Sequence, residues 1–257
     1  MKIVVIGGSG RIGTKLVANL RQEDCRVFEA SRRDGVDTVS GAGLAQVLED
    51  TDIVVDVSNS PTLTGEAPLR FFEASGRNLM AAGRAAGVRH HIALSIVGSD
   101  RLAAIDYFRA KQLQEAMIEA SGIPYTIVRS TQFFEFIRDV VQDGTTRDIP
   151  ISPALVQPIA GEDVADALAD ATFGDPRNGR IEIAGPEQFH LDWVAAEIAT
   201  ALEDNRRVVA DVHARYFGAE LQERSLLPGP DAYLASSRFE DWLREELQPE
   251  WAAARTR

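Results

Sequence analysis

Three glycines carry the first recognisable chemistry. Gly7, Gly10 and Gly13 stand in Gly7-Gly8-Ser9-Gly10-Arg11-Ile12-Gly13, directly after the apolar run Ile3 to Ile6. Glycine at the first place lets the chain turn sharply out of a strand. At the second it admits a pyrophosphate to the backbone, and at the third it lets a helix pack close to the strand. The backbone from Ser9 through Arg11 and Ile12 then opens a helix whose free N–H groups attract phosphate. This spacing in a strand–turn–helix predicts a dinucleotide site. The next strand end selects the dinucleotide: an acid there suits NAD, but the chain has Ser31-Arg32-Arg33. Two guanidiniums and a hydroxyl suit a 2′-phosphate, so NADP(H) is expected over NAD(H). A solvated loop with Asp34 serving NAD is the alternative. Ser58 and Asn59, leaving the third strand, are expected near the adenine ribose or in a simple turn.

Tyr107 and Lys111 stand in a Y-x-x-x-K pair. Four residues apart on a helix, they point the same way. Tyr107, Lys111, Gln114 and Ile118 form one stripe, and Ala110, Leu113, Met117 and Ala120 another. The apolar second stripe is the expected core face, which leaves the Tyr–Lys stripe bordering a cleft. Ser95 ends a strand before that helix, as a site residue or as a strand-end cap. Gln132, Phe133 and Phe134 follow the fifth strand, where phenyl rings could wall a pocket for a flat apolar substrate; Phe136 reads as core. Tyr216 and Phe217 could close it. The four histidines show no metal-ligand spacing, so no metal is expected.

The elements that must position these groups alternate in the first half. Strands are expected over 3–6, 26–30, 52–57, 91–95 and 125–129, with helices over 11–21, 43–49, 67–86 and 106–121. Such alternation means an α/β fold: a Rossmann-type, doubly wound, mostly parallel sheet, with the first strand central. After about residue 145, prolines punctuate a loop-rich stretch. Helices over 161–173, 190–202 and 238–247 and short strands over 180–184 and 206–212 follow, and the tail from Pro249 is expected to fray. The expected domains are 1–150, binding the dinucleotide, and 151–257, a smaller portion covering the substrate cleft.

Composition narrows the partners. Acids outnumber bases 39 to 27 in the 257 residues, a net charge of −12. That acidity argues against nucleic acid and against a basic membrane anchor, and no run approaches the length of a membrane span. The single cysteine, Cys25, cannot form an internal disulfide, which fits the cytoplasm. A monomer or homodimer is expected.

The chain resembles the atypical short-chain dehydrogenase/reductase superfamily, and within it the NmrA-like group with its quinone oxidoreductases. The likeness rests on Gly7 to Gly13, Leu94-Ser95 with Val97-Gly98, Tyr107-Phe108-Arg109-Ala110-Lys111, Ser121 to Arg129, and Gly161 to Ala165. It implies that Tyr107 donates a proton to the developing alkoxide. Lys111 would lower the tyrosine pKa and hold the nicotinamide ribose, and Ser95 would stabilise the substrate oxygen. Relatives often have paired serines where Leu94-Ser95-Ile96 stands. The implied function is NADPH-dependent reduction of a quinone or an aromatic or cyclic ketone, possible in secondary metabolism. The alternatives are a non-catalytic NADP(H)-binding sensor that binds a partner protein, and an epimerase or lyase that recycles its hydride.

Overall fold

The structure, a computed structural model, describes residues 1–143 and 147–247. The tail from Pro249 lies outside the described residues. β1 (Lys2–Ile6), five buried residues, runs into the glycine turn and α1 (Arg11–Leu20). β2 (Arg26–Ala30), α2 (Leu44–Leu48), β3 (Ile53–Asp56), α3 (Ala67–Ala85), β4 (His90–Ile96), α4 (Asp106–Glu119) and β5 (Tyr125–Ser130) follow in strict alternation. The rest comprises α5 (Phe134–Asp143), β6 (Asp148–Ile151), β7 (Leu155–Val156), α6 (Gly161–Phe173), β8 (Gly179–Ala184), β9 (Phe189–His190), α7 (Leu191–Ala201), β10 (Arg207–Ala210), β11 (Tyr233–Leu234) and α8 (Phe239–Leu247).

The main sheet has seven strands in the order β11-β8-β5-β4-β3-β1-β2, with parallel neighbours such as Val4↔Phe28, Val4↔Val54 and Ala93↔Ile127. This is the Rossmann-type α/β fold. β1 is not central: only β2 lies outside it, and β4 takes the middle of the order. One side of the β1-β3-β4-β5 run closes over Val4, Ile6, Val54, Leu79, Ala93 and Ile127, all buried. Apolar runs of this kind are what a parallel strand covered on both faces requires.

The single domain cut expected at residue 150 is replaced by a chain that crosses three times. One compact unit is Met1–Ser130 with Val164–Ile181, and the other is Thr131–Asp163 with Glu182–Arg257. The stretch expected to be loop-rich contains β6, which pairs in parallel with β10 (Ile149↔Val208), and β7, which pairs antiparallel with β9.

The buried face of α4 is also corrected. It comprises Phe108, Ala110, Lys111, Gln114, Glu115 and Ile118, while Leu113 and Met117 are only half-buried and Ala120 is exposed. Met117 packs instead on α3, where a Cβ on Gly76 would come 3.1 Å from its sulfur. The helix thus turns apolar groups to a neighbouring helix and polar groups to the sheet.

Candidate active site: the glycine loop and the polar face of α4

Gly7 takes φ +80°, and a Cβ there would come 2.9 Å from the Ser58 backbone. A Cβ on Gly13 would meet the Gly7 carbonyl oxygen at 2.2 Å. No larger residue fits either place, so the turn out of β1 and the close approach of α1 both depend on glycine. α1 starts at Gly10 with no side-chain cap and no acid in its first turn. Its positive end therefore keeps N–H groups for an anion. Ser9, Gly10 and Arg11 are exposed and Ile12 and Gly13 buried, so the loop shows a polar outer side over an apolar anchor.

At the end of β2, Ser31 donates to the Asp34 carboxylate at 2.6 Å. Arg32 and Arg33 are exposed on a single 3-10 turn, and neither has an acidic partner among the described residues. The nearby acid is thus engaged while both guanidiniums stand free.

On α4, the Tyr107 hydroxyl donates to Asn59 Oδ1 at 3.2 Å, an oxygen that also accepts the Ser60 N–H at 2.9 Å. Burial pushes the phenol up to about 12, against the smaller opposing effect of the Asn59 bond. Lys111, expected to lower this pKa, is not among the groups that shift it. Lys111 Nζ donates to the Leu94 carbonyl at 2.8 Å and to Gln114 Oε1, and sits 4.5 Å from the centre of the Phe72 ring. Burial lowers its pKa to about 8, partly offset by the charges of Asp56 and Glu115. Gln114 passes the link on, donating to Asp56 Oδ2 at 2.9 Å. Two of the three ammonium donors are thus spent on Leu94 and Gln114.

Ser95 is corrected too. It lies within β4, buried, and donates to Glu115 Oε1 at 2.5 Å. Arg129 grips the same carboxylate through Nε at 2.9 Å and Nη2 at 2.6 Å, and Arg180 Nε adds a third cation contact at 2.9 Å. Although burial alone would raise it, these bonds, led by Arg129 and Ser95, hold the Glu115 carboxyl below its usual range. Ser95 spends its proton on this buried ion pair and has none for a substrate oxygen. Ser99, three residues past β4 and after the left-handed Gly98, is fully buried, and its Oγ has no hydrogen-bond partner among the described residues. The same holds for Ser58 Oγ beyond β3.

In the second unit, Gln132 is 3 % exposed, and neither its Oε1 nor its Nε2 has a partner among the described residues. Phe133 is half-buried. Phe134, expected to wall a pocket, is core: its ring lies 5.1 Å from Trp242 and 5.3 Å from Phe239. Phe136, expected as core, is half-buried and lines a groove with Tyr216. Along α5 the two phenylalanines, two residues apart, face different ways.

Residues 7–174 match the model of the NAD(P)H-binding family. The chain belongs to that family. It is 28 % identical over 222 residues, 78 % of this chain and 73 % of the relative, to a (4-alkanoyl-5-oxo-2,5-dihydrofuran-3-yl)methyl phosphate reductase of Streptomyces griseus. It is 28 % identical, over 72 % of its length, to a chloroplastic divinyl chlorophyllide a 8-vinyl-reductase of Cucumis sativus, and spans about half (52 %) of that relative. Among solved structures, the NADPH-dependent quinone oxidoreductase of Escherichia coli superposes with a TM-score of 0.63 at 19 % identity, covering 81 % of this chain and 77 % of that one. Both of these curated relatives are named as reductases.

The residues of this NAD(P)H-binding chain fit the cofactor. The cradle at Gly7 and Gly13 would be filled by any Cβ, the start of α1 is uncapped, and a buried, unpaired Ser58 hydroxyl lies beside Gly7. Sequence reasoning passed over Glu115 and Ser99. A glutamate among helical polar residues reads as solvent-facing, and only the pairing of β4 with β5, which sets Ser95 beside Arg129, brings its partners together.

Proposed function

We propose that the chain uses NADPH, with NADH a weaker alternative, to reduce a quinone or an aromatic or cyclic ketone. The observation that carries this reading is the placement of Tyr107: its hydroxyl is oriented by Asn59, which follows β3, at 3.2 Å, and a phenol is protonated at neutral pH. When bound, the reduced nicotinamide supplies a hydride. The chain's own residues do the rest. Ser9 to Gly13 hold the pyrophosphate on the N–H groups of α1. Arg32 and Arg33 take the 2′-phosphate, and Ser58 pairs with a polar group of the nucleotide. Tyr107 gives its proton to the substrate oxygen as negative charge develops there. Ser99 supplies the stabilising hydroxyl expected of Ser95. The name of the Streptomyces griseus relative specifies an oxo-dihydrofuran, an unsaturated lactone, which supports a small cyclic substrate without specifying a ketone. The net charge of −12 and the lone cysteine support a cytoplasmic protein acting on small molecules without nucleic acid. No described helix is long and apolar enough to cross a membrane.

The test follows nicotinamide fluorescence during incubation with a panel of quinones and cyclic ketones. Turnover with NADPH that exceeds turnover with NADH, and that falls sharply in Tyr107→Phe, is the expected result. Tight NADPH binding with no turnover on any panel member would replace this reading with the non-catalytic sensor.

A further inference from the structure

One turn in the second unit holds an unusual residue. Tyr216 and Ala219 exchange both backbone hydrogen bonds, Tyr216 N to Ala219 O at 2.7 Å and Ala219 N to Tyr216 O at 3.2 Å. The two residues between them, Phe217 and Gly218, have φ +49° and +92°. A two-residue hairpin with both central φ values positive asks for Asn, Asp or Gly at its first place. A phenylalanine there is strained, and such strain persists where the surroundings use the conformation. Here the Phe217 ring stacks on Phe136, centroids 5.6 Å apart and planes at 17°, and meets Tyr216 edge-on at 4.8 Å. The Phe136 and Tyr216 rings line the groove with Ile137, Val140 and Leu191. Arg215 lines it too; it is exposed, and its Nη1 donates to the Gly218 carbonyl at 2.7 Å. No carboxylate pairs with Arg215 among the described residues, in a chain of net charge −12. An aromatic and aliphatic floor with a guanidinium at its rim that has no carboxylate partner among the described residues complements a ligand with an apolar body and a phosphate or carboxylate end.

We infer that this groove binds an amphipathic organic anion, its apolar body against Phe136 and Tyr216 and its acid group on Arg215, with the strained turn at Phe217 holding the aromatic wall in place. The inference goes beyond the reductase reading, because it requires the second unit alone.

The probe pair is 2-naphthyl phosphate and 2-naphthol, titrated calorimetrically into the full chain with NADPH at saturation, so that the glycine loop cannot take the phosphate. The phosphate binds about tenfold or more tightly than the naphthol, and Arg215→Gln removes that difference. Phe136→Ala weakens both probes by about two- to tenfold. Phe217→Asn separates binding from folding: asparagine suits the turn, so the melting temperature holds or rises while both probes weaken. Equal affinity of the two probes, an Arg215→Gln protein that still prefers the phosphate, or unchanged affinity in Phe217→Asn overturns the inference. Failure of NADPH itself to bind, titrated separately, would overturn the reductase reading and leave the groove result intact.

Discussion

Two polar regions of the first unit sit a few residues apart in sequence and behave in opposite ways. Beneath α4, the buried ions are matched: Glu115 with Arg129 and Arg180, and Lys111 with Gln114, Leu94 and, through Gln114, Asp56. In the loops just past β3 and β4, Ser58 and Ser99 keep buried hydroxyls with no partner among the described residues. An unpaired buried hydroxyl costs stability, whereas a matched buried ion costs most when its partner is taken away. The difference separates polar groups that hold the fold from those held for something the fold does not contain. Parallel α/β sheets bind ligands outside the carboxyl ends of their strands, where the unpaired hydroxyls lie.

That separation breaks most visibly if Tyr107 proves dispensable. Tyr107→Phe removes one hydroxyl and is expected to lower kcat by about 10²–10⁴-fold with little change in melting temperature. Because the phenol sits at about 12 in the folded chain against 10.0 as its ordinary value, the kcat profile should show no loss from tyrosine ionisation below about pH 10. The stability linked to that raised pKa is fully present below about pH 10 and is lost as pH climbs toward 12. An alkaline limb near pH 8 that vanishes in Tyr107→Phe would contradict this assignment.

Glu115→Ala should act on the other region. It strands Arg129 under α4, a loss of about 3–5 kcal/mol in denaturant unfolding, while NADPH affinity in the folded fraction stays near that of the unaltered chain. A stability change under about 1 kcal/mol would mean that the ion pair is not what braces α4 against the sheet. A smaller effect is expected from Arg32→Ala. It should weaken NADPH by about tenfold or more, from about 1.5–3 kcal/mol, and leave NADH unchanged, read by fluorescence titration. The smallest effect sharpens the comparison most. Ser99→Ala is expected to leave the cofactor-free protein as stable, or more stable, by up to about 1 kcal/mol, since it deletes an unsatisfied group, yet to lower kcat. A marked loss of stability would show that Ser99 serves the fold after all.

The amino-terminal strand, turn and helix were legible because local rules govern them: an apolar run, glycines at fixed offsets, and helical spacing of Ile12, Leu16 and Leu20. Helix α6 was placed to the residue for similar reasons, its acids Glu162 and Asp163 marking the first turn. Helix α4 was located correctly, but its orientation was misread. Apolar periodicity pointed Ala110, Leu113, Met117 and Ala120 at the core; Ala110 is buried there, but Leu113 and Met117 are half-buried, Ala120 is exposed, and Lys111, Gln114 and Glu115 are buried in their place. Those three could be buried only because Asp56, Leu94 and Arg129 come from other strands, and no local pattern encodes that. β6 was hidden for a related reason: Pro150 interrupts it, and a two-stranded pairing with the distant β10 tolerates a proline that a central strand would reject. The surroundings of Phe134 and Phe136 were not legible because they are set by Trp242, Phe239 and Phe217, about eighty to a hundred and ten residues away.

The interleaving of the two units bears on how the protein is made. Unit one draws its last piece from Val164–Ile181, after the chain has already entered and left the other unit. On a ribosome delivering about 5–20 residues per second, the five strands up to Ser130 emerge seconds before the segment that completes them. During that wait, the β5 edge that β8 will cover has no neighbour, and an uncovered strand edge is what nascent chains exchange with one another. Slow translation through residues 131–181 would therefore lengthen an aggregation-prone interval in the protein's synthesis, and a chaperone bound to the nascent chain would cover that edge until β8 arrives.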